Sequence, residues 1–195
     1  MSGEARDTDP PAAAASASEP GGVTVWLTGL PSAGKSTIAA AVADRLRAAG
    51  RRVEILDGDD MRRFLSAGLG FSKEDRDTNV RRIGFVAELL ASHGVTVLVP
   101  VIAPYASSRA AVRDHHAAAG TAYLEAYIAT PVWICADRDV KGLYSAQAEG
   151  RLSGLTGIDD PYEIPVEPDL RIPAHEQTVT ESADLLFGLL VERGL

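Results

Sequence analysis

Gly29, Leu30, Pro31, Ser32, Ala33, Gly34, Lys35 and Ser36 satisfy the pattern G-x-x-x-x-G-K-[ST], and Thr37 follows them. Glycines at these places let a backbone curl until its N–H groups converge on phosphate oxygens. A helix starting near the lysine adds the positive end of its dipole. In such a loop Lys35 reaches the β- and γ-phosphates of a nucleoside triphosphate, and Ser36 holds Mg²⁺. Downstream, Asp57, Gly58 and Asp59 set two carboxylates around a glycine. One carboxylate can support a metal through a water, and the other can orient or deprotonate an acceptor hydroxyl. Arg62, Arg63, Arg76, Arg81 and Arg82 then fall within twenty-one residues. Guanidinium groups grip phosphate or sulfate through paired hydrogen bonds. These residue types describe phosphoryl transfer from a triphosphate to a small anionic acceptor.

A phosphate loop works only between a strand and a helix, and the flanking sequence supplies both. Val23–Thr28 is a β-branched and aromatic run, while 36–49 places Ile38, Val42 and Leu46 at helical spacing before Gly50. The pattern next predicts a strand over 52–56 that stops at Asp57, and a helix over 78–93 with Val80, Ile83, Ala87 and Leu90 on one face. The run 95–101 is almost continuously apolar, as in a parallel strand covered on both sides. A helix over 107–119, a strand over 122–129, a helix start over 131–137 and a short strand over 169–172 follow. Thr178 and Glu181 have capping-box spacing ahead of Leu185, Leu186, Leu189 and Leu190. This alternation implies an α/β fold of the P-loop NTPase type, one parallel sheet with helices on both faces. The weakly periodic, Gly- and Pro-rich stretch 141–168 reads as a long mobile loop, and a lid is expected over about 138–168.

A chain of 195 residues, 46% hydrophobic and 24% charged, can bury one sizeable core. One domain over 22–195 is expected, preceded by a disordered Ala/Pro/Ser-rich tail over 1–21. That tail lacks the basic start and apolar centre of a signal peptide. A formal charge of −8 argues against a general nucleic-acid or membrane-surface binder, so an anionic ligand must be met by a local cluster of cations. The single cysteine, Cys135, excludes an intramolecular disulfide, and no stretch reaches the ~18 apolar residues of a membrane span. A reducing, cytoplasmic setting is expected. GTPases are disfavoured, because the only asparagine, Asn79, precedes Val80 rather than opening an Asn-Lys-x-Asp segment. The run 95–101 also lacks a terminal acidic residue, so the metal-supporting carboxylate must come from elsewhere. His93, His115, His116 and His175 show no metal-ligand spacing, and surface or helix-end roles are expected of them. Cys135 reads as a small packed residue.

GLPSAGKST (29–37), DGDDMR (57–62), GFSKEDRDTNVRRIG (70–84), RDVKGLY (138–144) and TGIDDPYEIP (156–165) together resemble the successive blocks of the adenylylsulfate kinases. The resemblance extends from Gly22 to about Leu190. It implies MgATP as donor, adenosine 5′-phosphosulfate as acceptor, a role in sulfate assimilation and a homodimer. Arg62, Arg76 and Asn79 are then implied to grip the acceptor's phosphosulfate and adenine, and Phe71 to stack on that adenine. Ile102 and Ala103 fall in the strand-end loop lining the pocket, Lys141 in the lid, and Arg138 near the ATP adenine. Asp59 is implied to activate the acceptor hydroxyl and Asp57 to support the metal, although the sequence leaves the two interchangeable. The chain departs from the family at Ala103, where many members carry a serine able to take up phosphate, so direct transfer is expected. It departs again at Leu155, where phenylalanine is usual, and Leu155 is expected to cover the adenine face opposite Phe71. A kinase for another small anion, or a non-catalytic nucleotide-binding subunit, remain the alternatives.

Overall fold

The computed structural model describes residues 21–195, so the tail expected over 1–21 lies, but for its last residue, outside the described residues. Five parallel strands form one sheet in the order β2-β3-β1-β4-β5. They are β1 (Val23–Thr28), β2 (Val53–Ile55), β3 (Thr96–Pro100), β4 (Ala122–Ile128) and β5 (Leu170–Ile172). The helices are α1 (Lys35–Ala48), α2 (Gly58–Phe64), α3 (Lys73–Ala91), α4 (Ala106–Ala119), α5 (Val132–Arg138), α6 (Leu143–Ala148) and α7 (Val179–Glu192).

Alternation within β1 splits the core in two. Val23, Val25 and Leu27 face α1 and α7, joined by Ile38, Val42, Leu186 and Leu190. Trp26 faces the other way, with Val97 and Val99 of β3, and packs with Val80, Ile83 and Val112 of α3 and α4. Each position of the central strands β1 and β3 is therefore buried on one side or the other, which explains the almost continuously apolar sequence of β3. His116 lies in the last turn of α4, one of the helix-end places expected of the histidines, but it is buried in the core rather than on the surface. Its Nε2 meets Thr24 Oγ1 at 2.9 Å and its Nδ1 meets the Val112 carbonyl at 2.8 Å. Burial lowers its pKa and favours the neutral ring.

Chain order and sheet order together create the site. β1 lies between β3 and β4, so the loops after β1 and β3 leave neighbouring strands with helices on opposite faces of the sheet. A crevice opens at such a switch point, at the carboxyl ends of the strands.

Three elements differ from the sequence expectation. Helix α2 was not anticipated, because its seven residues carry no apolar period; Asp57 starts it by accepting the Asp59 N–H at 3.0 Å. Helix α3 begins at Lys73, five residues before the predicted 78, because Ser72 caps it by accepting the Asp75 N–H. Within the expected mobile loop, α6 is a regular helix, and Leu155 and Thr156 beyond it are buried. None of the helices described is long and apolar enough to cross a membrane.

Candidate active site

The loop between β1 and α1 is shaped by its glycines. Gly34 has φ +107, and Gly29 leaves no room for a Cβ, which would come within 2.8 Å of the Ile128 carbonyl oxygen. No side chain caps α1 and no acidic residue lies in its first turn, so the N–H groups there stay available to an anion. Thr130 fastens the loop from β4's end by donating to the Ala33 carbonyl at 2.8 Å.

Lys35 is folded onto its own loop and donates to the carbonyls of Gly29 at 2.9 Å and Leu30 at 2.7 Å. Burial lowers its pKa from the ordinary 10.5 to about 8, with the charge of Lys141 adding to the effect and Cys135 and Asp57 opposing it. A bound polyphosphate would reverse that penalty. Ser36 donates to Asp57 Oδ2 at 2.6 Å, while Asp57 Oδ1 caps α2. The hydroxyl and the carboxylate are thus a ready pair of hard oxygen donors. Mg²⁺ in kinases keeps waters and substrate oxygens as its other ligands, so this donor set fits it. No cluster of three or more acidic, histidine or cysteine ligands occurs among the described residues.

Asp59 stands apart from Asp57. It is exposed and forms an ion pair with Lys141, which follows α5. Val140 donates its N–H to Ser32 Oγ at 3.3 Å, and Tyr144 of α6 donates to the Pro31 carbonyl at 3.1 Å, so this segment is tied to the phosphate loop. Arg138 lies close by, with Nη1 4.0 Å from where a Gly34 Cβ would stand.

Arg62, Phe71, Arg76 and Asn79 line the same cavity as Lys35, Ser36, Asp57 and Asp59, together with Ile102, Ala103, Arg138 and Lys141. The cavity measures about 450 Å³, within the usual range of small-molecule sites. Arg62 lies over the Phe71 ring, 4.5 Å from its centroid, and donates to the Gly70 carbonyl at 2.8 Å. Its pKa is lowered by burial and by the neighbouring charge of Arg76. Two guanidinium groups in mutual repulsion are relieved by an anion. Asn79 is buried with its Oδ1 unpartnered and lines this cavity.

A scan against protein-family models matches adenylylsulphate kinase over residues 21–173. This chain belongs to the adenylylsulphate kinase family. It is 49% identical over 173 residues to the adenylyl-sulfate kinase of Synechococcus sp. strain JA-2-3B'a(2-13), covering 89% of this chain and 97% of that one. It is 50% identical over 171 residues to a probable adenylyl-sulfate kinase of Synechocystis sp., covering 88% and 94%. Among solved structures, the Mycobacterium tuberculosis APS kinase CysC in complex with AMPPNP and APS matches with a TM-score of 0.85 and 45% identity, over 88% of this chain and 99% of that one.

Measured against the family pattern, two placements change the sequence reading. Leu155 lines no part of the cleft. It is 6% exposed and belongs to the apolar cluster against α1 and α7, where Leu30 and Tyr144 also pack. The expected sandwich of an adenine between Phe71 and Leu155 is corrected accordingly: an aliphatic side chain here gains more from burial than from the cleft surface. Arg76, in turn, is spoken for in this structure. Its Nε donates to the Phe71 carbonyl at 2.8 Å, its Nη1 to Thr156 Oγ1 at 2.6 Å, and its Nη2 to the Gly154 carbonyl at 2.6 Å and Asp160 Oδ2 at 2.8 Å. The family block 156–165 therefore meets the site through Arg76.

Gly29 and Leu30 open the phosphate loop without lining the cleft and touch the site through their carbonyls on Lys35, whereas Pro31 to Thr37 line it. Pro100, Val101, Val140 and Leu143 also line it and were not singled out from the sequence. Their signal is weak, because apolar residues at a strand end look the same whether they face a helix or a ligand.

Proposed function

We propose that this chain is an adenylyl-sulfate kinase, transferring the γ-phosphoryl group of MgATP to the 3′-hydroxyl of adenosine 5′-phosphosulfate. The products are 3′-phosphoadenosine 5′-phosphosulfate and ADP. The observation that carries this reading is a single cavity lined both by the phosphate loop and by Arg62, Phe71, Arg76 and Asn79. Donor and acceptor sites that share one cleft permit in-line transfer without an intermediate on the protein.

In this reading the loop N–H groups and Lys35 hold the triphosphate, and Lys35 regains full charge as it exchanges backbone carbonyls for phosphate oxygens. Ser36 and Asp57 would hold Mg²⁺, which would supply charge neutralisation for the transferring phosphoryl group. Asp57 is fixed beside Ser36, so Asp59 is the carboxylate left to receive the acceptor hydroxyl. The hydroxyl oxygen bonds to the γ-phosphorus as the bond to the β–γ bridging oxygen breaks. Its proton passes to Asp59, and ADP departs. Arg62 and Arg76 meet the phosphosulfate, Phe71 stacks on the adenine, and Asn79 supplies its unpartnered carbonyl oxygen to a donor on the acceptor. Ala103 offers no hydroxyl, which favours direct transfer.

A cytoplasmic homodimer belongs to the same reading. Phe85 and Leu89 leave an apolar stripe of α3 exposed, and sedimentation of the purified chain tests the assembly. The function itself is tested by measuring ADP release from MgATP with and without adenosine 5′-phosphosulfate. Turnover that requires the acceptor is expected; tight ATP binding with no acceptor-dependent turnover would overturn the reading.

A further inference from the structure

The loop 102–104 that lines the cleft is held in an unfavourable backbone shape. Ala103 has φ +43, a left-handed conformation that a Cβ disfavours and that persists only where its surroundings impose it. Ala103 is also buried and lines the cleft.

Its restraints come from outside the cleft. Arg109 of α4 is 3% exposed, and its Nη1 donates to the Ala103 carbonyl at 2.7 Å while its Nη2 donates to the Glu163 carbonyl at 2.7 Å. Its Nε faces Glu125 Oε1 of β4 at 2.7 Å, an ion pair rather than an aligned hydrogen bond. Glu163 completes the lacing. Its N–H donates to the Pro104 carbonyl at 2.8 Å, and its carboxylate accepts the Ala106 N–H at 2.6 Å. On the third side, Thr28 Oγ1 donates to the Ile102 carbonyl at 2.6 Å. That hydroxyl has one proton, so the 2.9 Å contact with Tyr162 must be a bond donated by the tyrosine. Three consecutive carbonyls, those of Ile102, Ala103 and Pro104, are thereby pinned; Thr28 and Arg109 each join the pinned loop to the 162–163 segment and the sheet, and it is Arg109 that holds the carbonyl of the left-handed residue itself.

We propose that Arg109, which lines no part of the cleft, is a positioning residue that holds Ala103 left-handed and so fixes the acceptor wall of the site. The purpose of burying a charged pair here is geometric. A guanidinium offers planar N–H groups in fixed directions, and no apolar side chain can hold two carbonyls and a carboxylate at once. A buried ion pair adds little stability over an apolar pair of similar volume, which makes its presence at this junction informative. Naming the wall's occupant as the acceptor rests on the functional reading above.

The test uses the purified full chain and the variant Arg109→Met/Glu125→Leu, which removes both buried charges together and avoids stranding either one. An acceptor KM raised at least about fivefold, with the ATP KM within about twofold of the parent, is expected. A crystal structure of the variant is expected to show Ala103 outside the left-handed region. If that variant does not fold, Arg109→Lys takes its place. It keeps the charge beside Glu125 but cannot reach both carbonyls, and a rise of about two- to fivefold in acceptor KM alone is expected. An unchanged acceptor KM, or acceptor and ATP KM rising together, would overturn the proposal. A parent chain that turns over ATP with no dependence on adenosine 5′-phosphosulfate would instead sink the functional reading. The backbone at Ala103 then decides this proposal by itself, and a wall unchanged in the variant overturns it.

Discussion

The phosphate loop and the acceptor wall are both built to meet anions, yet they are assembled in opposite ways. In the loop the lysine's own partners are local, carbonyls five and six residues away, and the distant Thr130, Val140 and Tyr144 only brace the backbone around it. On the acceptor wall Arg76 is held by Thr156, Gly154 and Asp160, which lie 80, 78 and 84 residues further along. A local site is specified by a short string of residue types. A distributed site exists only once the chain has brought its parts together, and it can move when any part does. In the proposed reading the donor half is thus the more local of the two, while the acceptor half depends on the segment 154–163.

The largest effect that separates the two halves should come from Lys35→Ala. Removing a group aimed at charge that develops in the transition state typically costs about 10²–10³ in rate. A fall of at least that size in kcat is expected in a steady-state assay, and near-parental turnover would refute the donor assignment. Arg76→Met should act on the other half. Hydrogen bonds to charged groups are worth roughly 1.5–3 kcal/mol each, so an acceptor KM raised at least about tenfold is expected, with ATP affinity unchanged by calorimetry. An equal loss of ATP affinity would show that the segment 154–160 serves both halves.

Protonation of Lys35 sharpens the comparison further. Its pKa is about 8 in the free cleft against an ordinary 10.5, and a bound triphosphate is expected to restore the charged form. Between those values binding must take up a proton, so nucleotide affinity should fall as pH rises above 8, by up to about tenfold per unit. Calorimetry at pH 9 in two buffers of different ionisation enthalpy measures the uptake directly. No uptake there would show that phosphates do not reach Lys35.

Smaller effects distinguish the two positions once paired around the adenine. Phe71→Ala should weaken the acceptor about tenfold, in keeping with roughly 1–3 kcal/mol for base-aromatic stacking. Leu155→Phe should leave acceptor KM within about twofold. It overpacks a closed cluster at a cost of about 1–3 kcal/mol, which a melting scan reads as a midpoint lowered by several degrees. A clear gain in acceptor affinity from Leu155→Phe would instead place that side chain over the ligand.

The parallel sheet, both faces of helices and the phosphate loop were legible because each is written in local terms. The β-branched and aromatic run of β1, the helical spacing of Ile38, Val42 and Leu46, and the glycines at 29 and 34 all act within a few residues of themselves. The capping box at Thr178 and Glu181 formed as its spacing implied. Helix α2 escaped because it is held by a cap and buries no residue, so it leaves no periodic trace. The order of Asp57 and Asp59 escaped for another reason. Both are the same residue type, and only the approach of Ser36 to one and Lys141 to the other tells them apart.

By itself, then, the sequence determined which chemistry is available: a phosphate cradle, two carboxylates and a set of guanidinium groups, each legible from residue type and spacing. The tertiary structure decided which groups share a cavity, that Leu155 is core, that Arg76 binds distant backbone at the cleft, and that Arg109 does so outside it. The physical reason is that a hydrogen bond to a carbonyl leaves no mark on the residue that owns the carbonyl. Every residue has one, so a partner chosen through the backbone is settled by folding alone.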